Sequence, residues 1–133
     1  MTTVCLTFDV DAEAGLAARL DSHRERLSTL SEREFSVRRG VPRILDLLGE
    51  HGLLATFYVP GATAERHPEA IRAIVDAGHE IGHHGHHHLA SHTIDAAQQT
   101  SEIDDALAAL RPFAGATIGY RSPAWELTPQ TAE

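Results

Sequence analysis

The sequence predicts an α/β fold of parallel strand–helix units: about four strands with flanking helices, half of a (β/α) barrel rather than a closed one. Three features lead there. Short β-branched, apolar segments alternate with amphipathic helical ones, glycines stop the helices just before the next strand, and polar groups follow the ends of three strands. One domain covering residues 1–133 is expected.

Residues 3–9 (TVCLTFD) are β-branched and apolar and end in a carboxylate, which suits a short strand with Cys5 as a small buried hydrophobe. Residues 12–39 are polar and predict a long insertion carrying one or two exposed helical turns. Val41, Ile44, Leu45 and Leu48 lie at i, i+3, i+4 and i+7, one face of a helix, and Gly52 ends it. Residues 53–60 (LLATFYVP) give a second strand. His67-Pro68 opens a helix with Ile71, Ile74 and Val75 inward, and Gly78 stops it. Residues 79–82 (HEIG) form a third strand. A helix over about residues 93–110 turns Ile103, Ala106, Leu107 and Leu110 to one side. A fourth strand, about residues 117–120, leads into Arg121-Ser122-Pro123-Ala124-Trp125. Thr128-Pro129 caps a new helix with almost no body before Glu133, so the expectation is a chain truncated at its C-terminus.

The chain has 133 residues, 14.4 kDa and a formal charge of −8. Binding by phosphate neutralisation needs a basic face, so neither nucleic acid nor an anionic membrane surface is an expected partner. Apolar runs are far shorter than the roughly 20 residues that span a bilayer. The single Cys5 excludes a disulfide scaffold, and Met1 to Phe8 carry no secretory pattern, which sets a cytoplasmic location as the expectation. A half-barrel leaves an unpaired strand edge, so a homo-oligomer is expected.

Ten histidines are present, five of them in the six positions from His83 to His88. In a parallel fold the strand C-termini converge on one face, so Asp9 with Asp11, the histidine cluster, and Arg121 with Trp125 are expected to meet. Two crowded carboxylates call for a cation or an arginine. An isolated Asp-x-Asp is more often a pair of solvated turn or cap residues, and its place after an apolar strand beside the histidine cluster brings the two readings level. In a helical turn His84 and His88 would share a face, but His79/His83, His83/His87 and His88/His92 have the same spacing. Imidazoles with a carboxylate suit Zn²⁺ or a similar first-row ion, not an all-oxygen Mg²⁺ or Ca²⁺ site.

These residues resemble the polysaccharide deacetylase family, carbohydrate esterase family four. Thr7-Phe8-Asp9-Val10-Asp11 resembles its Thr-Phe-Asp-Asp motif, and His84-Gly85-His86-His87-His88 its His-(Ser/Thr)-x-x-His. Gly119 to Trp125 resembles its Arg-x-Pro-x-(Trp/Tyr/Phe) segment, and residues 55–59 and 77–82 fit the intervening strands. The resemblance implies the N-terminal part of a distorted barrel and a divalent metal, Zn²⁺ first, with Co²⁺ or Ni²⁺ possible. It implies Asp11, His84 and His88 as ligands, Asp9 as general base, Arg121 as the residue that orients and tunes it, and Tyr120, Pro123 and Trp125 along the substrate groove. The general acid is expected beyond residue 133.

Asp9 and Asp11 are separated by Val10, where the family has adjacent aspartates, and Asp-x-Asp-Ala-Glu-x-Gly resembles a branch that includes allantoinases and cyclic imide hydrolases. The activity expected is metal-dependent hydrolysis of a non-peptide C–N bond in a small-molecule or glycan substrate, first N-deacetylation of an N-acetylated carbohydrate. The alternatives are a cytosolic cyclic amide hydrolase, a catalytically incomplete metal-binding fragment, and a metal buffer with several weak sites.

Overall fold

The computed structural model describes residues 1–17, 26–114 and 119–132. Three strands form a parallel sheet in the order β1 (Thr7–Asp9), β2 (Thr56–Val59), β3 (Glu80–His83). In the ladder Asp9 pairs with Tyr58 and Val59 with His83, so all three strands end at one edge of the sheet. Phe57 and Val59 alternate inward and are fully buried; each such side chain contributes about 1.5–3 kcal/mol. Phe57 stacks on Phe8 at 5.2 Å and meets the His79 ring at 5.4 Å.

After β1 come the single turn α1 (Ala14–Ala17) and then α2 (Leu27–Phe35). A π-helical turn, Ser36–Gly40, carries α2 without a break into α3 (Val41–His51). The expected insertion of one or two turns is therefore corrected: from residue 27 it is the front of one long helix. It was hard to see because α2 buries no residue and so has no apolar stripe. Gly52 ends α3 at φ 61, with its N–H on the Gly49 carbonyl and that of Leu53 on Leu48.

Between β2 and β3 lie α4 (Gly61–Arg66), which the sequence reading missed, and α5 (Pro68–Asp76). Ile71 and Ile74 of α5 are fully buried, as expected. A 3₁₀ turn (Ser91–Thr93) precedes α6 (Ala96–Leu110), which Asp95 and Gln98 close with a capping box. The buried stripe of α6 is Gln99, Glu102, Ala106 and Leu110; Ile103 and Leu107 are only half-buried. The expected stripe is thus rotated, because α6 packs on α4 and β3 and puts two polar side chains under the loop after β3.

Of the fourth expected strand, residues 117 and 118 lie outside the described residues. Its end makes a parallel bridge, Tyr120 to His83, with the His83 N–H on Gly119 and the Arg121 N–H on His83. Pro129–Ala132 is a 3₁₀ turn. Cys5 is exposed, not buried: β1 begins only at Thr7 and pairs on one side alone among the described residues.

Candidate metal centre

Three connections leave the common edge of the sheet and build one site. The first follows β1. Val10 still donates to Tyr58 O, but the strand then turns through Ala12 at φ 47, so Asp11 reaches the site from a loop and not as a strand neighbour of Asp9. Thr63 of α4 fixes that loop by donating its hydroxyl to Asp11 O at 2.7 Å. Gly15 faces Asp11 so closely that a Cβ there would lie 2.8 Å from the Asp11 Cβ.

The second connection follows β3. His84 and His88 come together through a bent loop with left-handed Gly85 (φ 69) and His88 (φ 60), and not through a helical turn. Both are buried, and their rings meet edge to face at 4.8 Å. His84 Nδ1 lies 2.5 Å from Arg121 O, which fixes the ring and turns Nε2 toward Asp11. The loop carbonyls of Gly85 and His86 accept from the N–H groups of Gly61 and Ala62 at the start of α4.

The third connection follows Tyr120. The Arg121 guanidinium lies over the Tyr58 ring at 4.2 Å, donates to Asp9 Oδ1, and reaches Thr7 Oγ1 at 2.7 Å. Asp9 is therefore oriented by arginine. Ala124 and Trp125 both take left-handed backbone angles, near φ 58 and 59, and Trp125 is 77% exposed.

Asp11, His84 and His88 each offer a ligand atom, all within 4.8 Å of one another, and no other such group of three stands among the described residues. His84 Nε2 is 3.7 Å from Asp11 Oδ1, and His88 Nε2 is 3.5 Å from Asp11 Oδ2. Atoms bound at about 2.0–2.2 Å to one tetrahedral ion lie roughly 3.3–3.6 Å apart; each imidazole stands near that distance from one oxygen of Asp11, and the trio, within 4.8 Å overall, would draw in slightly around a zinc-sized ion. Asp11 Oδ1 is buried without a hydrogen-bond partner, which a cation would answer. The residues fit the group.

A cavity of about 230 Å³ opens here, lined by Asp9, Asp11, His84, His88, Ala124 and Trp125. Two expected groove residues stand apart from it. Tyr120 stacks on His83 at 4.6 Å and lines the neighbouring hollow with Arg121, Ser122, Trp125 and Leu127. Pro123 is fully buried against Gly85, under the histidine loop, and so does not line the cavity. His83 is buried beside His84; burial first, and the neighbouring imidazole second, push its pKa down to about 4.

Sequence reasoning missed three supporting side chains. Thr63 is one. Glu13, within the quoted motif, is buried with His67 Nε2 at 2.8 Å from its Oε2. Glu102 holds the histidine loop. Its signal was a carboxylate four residues before buried Ala106, readable only once the phase of α6 is known.

The polysaccharide deacetylase family pattern matches residues 2–131. A peptidoglycan deacetylase of Helicobacter pylori is 32% identical over 94% of this chain and 43% of its own length. A solved chain from Mycobacterium smegmatis, ascribed to the polysaccharide deacetylases, is 41% identical with a TM-score of 0.91, over 96% of this chain and 45% of that one. An allantoinase structure is 26% identical with a TM-score of 0.76, over 87% of this chain and 44% of that one. A family-four pseudoenzyme from Bacillus anthracis shares the fold at 19% identity and a TM-score of 0.73, over 97% of this chain and 38% of that one. The chain thus spans less than half the length of the relatives it matches.

Proposed function

The chain belongs to the polysaccharide deacetylase family, and from that premise we propose that it carries the metal-binding side of a hydrolase that removes the acetyl group from an N-acetylated carbohydrate. The observation that carries this reading is the Asp11, His84 and His88 trio facing, in one cavity, an Asp9 held by Arg121.

Asp11, His84 and His88 would hold Zn²⁺, Co²⁺ or Ni²⁺, which when bound would supply Lewis acidity toward the amide oxygen and the attacking water. Asp9 accepts a proton from that water as its oxygen bonds to the carbonyl carbon. Arg121 keeps the Asp9 carboxylate aimed at that water. The C–N bond then breaks and the leaving nitrogen takes up a proton, giving the free amine and acetate. Neither His86 nor His87 lines the cavity, so neither is placed to donate it. Exposed Trp125 at the rim offers a flat face to a sugar ring.

A second reading, hydrolysis of a cyclic amide, is favoured by the Asp9-Val10-Asp11 spacing and by the likeness to an allantoinase. Both are tested together. The purified protein, stripped with a chelator and reloaded with Zn²⁺, is assayed on N-acetylglucosamine oligomers beside allantoin and succinimide. Zinc-dependent release of acetate supports the first reading and ring opening the second. Tight binding of one zinc without turnover on either set leaves a metal-binding fragment, and several weak equivalents leave a metal buffer.

A further inference from the structure

Glu102 lies on α6, outside the cavity, and is 9% exposed. Its carboxylate turns to the loop between the two imidazoles of the trio. Oε2 accepts the N–H of His86 at 3.0 Å and of His87 at 2.8 Å, and Oε1 lies 2.8 Å from His87 Nδ1. The two consecutive N–H groups wrap one oxygen, and Gly85 at φ 69 lets the chain curl around it: a Cβ on Gly85 would sit 3.3 Å from Oε2. A buried carboxylate is unfavourable unless hydrogen-bonded, and a purely packing role on this stripe is met by Ala106 and Leu110. What the carboxylate adds is the path of residues 85–87, which sets where His84 and His88 stand.

We infer that Glu102 is a positioning residue that holds the His84 and His88 imidazoles at the spacing a divalent cation requires. The inference rests on the metal-site reading above. Glu102 is not among the residues lining the cavity and acts through the backbone of His86 and His87. Partners of this kind typically tune metal affinity by about 10–100-fold. Glutamine can still accept both N–H groups through Oε1 and turn its amide toward His87 Nδ1, whereas alanine removes the acceptor from both N–H groups.

The test is zinc affinity by competition with a chromophoric chelator, together with the visible absorption spectrum of the Co²⁺-loaded protein. Measured on wild type, E102A, E102Q and E102D, each checked for folding by circular dichroism, E102A is expected to lose about 10–100-fold in affinity with an altered cobalt spectrum. E102Q is expected to restore both. E102A binding as tightly as wild type overturns the inference, as does E102Q no better than E102A, since charge and not geometry would then be at work. If E102A does not fold, E102D, one methylene short of the loop, is expected to fold and bind weakly; wild-type affinity in E102D overturns the inference. A wild-type chain that binds no zinc or cobalt overturns the metal-site reading and this inference with it, an outcome distinct from a variant that merely matches wild type.

Discussion

The two arms that meet at the cavity are built differently. The histidine arm leaves β3 and is tied down at every step: His84 on the Arg121 carbonyl, Gly85 and His86 carbonyls on the start of α4, His86 and His87 N–H groups on Glu102. Both its imidazoles are buried. The aspartate arm leaves β1, which has one strand partner among the described residues, and turns through a left-handed alanine. Thr63 holds its backbone and the Glu13–His67 pair braces the turn, but the Asp11 carboxylate is about one-third exposed and its Oδ1 lacks a hydrogen-bond partner. The contrast teaches that, in the metal-site reading proposed above, the imidazole pair would be the fixed template and the carboxylate the ligand that adjusts to the ion.

That contrast can be broken most sharply with single ligands. His84→Ala, measured by zinc competition, is expected to lose more than the about 100-fold of an indirect partner, because it removes a ligand and frees the Arg121 carbonyl. Asp11→Asn is expected to bind weakly but measurably; equal losses would erase the distinction between the arms.

A second measurement separates holding from reacting. Asp9→Asn is expected to lower kcat on the preferred substrate by about 10²–10⁴-fold while zinc affinity stays at the wild-type value. A parallel fall in affinity would place Asp9 among the ligands.

Acid is expected to weaken the end of β3, where His83 is buried. His83 titrates near 4 when folded and near 6.5 otherwise, so between these values only the unfolded chain takes the proton. This contribution to stability is complete above about pH 6.5 and is lost as the pH falls toward 4. Urea midpoints of wild type and His83→Gln between pH 7 and 4 are expected to converge as the pH falls; curves that stay parallel remove His83 as the cause.

The smallest effect belongs to the aspartate arm's brace. Thr63→Val deletes one side-chain hydrogen bond to Asp11 O and is expected to cost about 1 kcal/mol in urea unfolding, with less than a tenfold change in zinc affinity. A larger loss than that of His84→Ala would show the aspartate arm to be the rigid one.

Sequence alone determined the parallel α/β plan, the helix stops at Gly52 and Gly78, and the gathering of Asp9, Asp11, the His83–His88 cluster and Arg121, because strand periodicity and glycine backbone freedom are local properties; the choice of His84 and His88 within the cluster came from the family resemblance. A parallel ladder must also bring strand ends together, so groups 112 residues apart, Asp9 and Arg121, could be expected to meet. Tertiary structure alone decided that α2 runs into α3, that Pro123 is a floor and Cys5 exposed, and that the imidazoles converge through a left-handed loop. It also chose the buried polar partners, Thr63, Glu13 and Glu102. Their value is set by which unpaired backbone or ring group another element brings within hydrogen-bond reach, and no local pattern of residues encodes that distance.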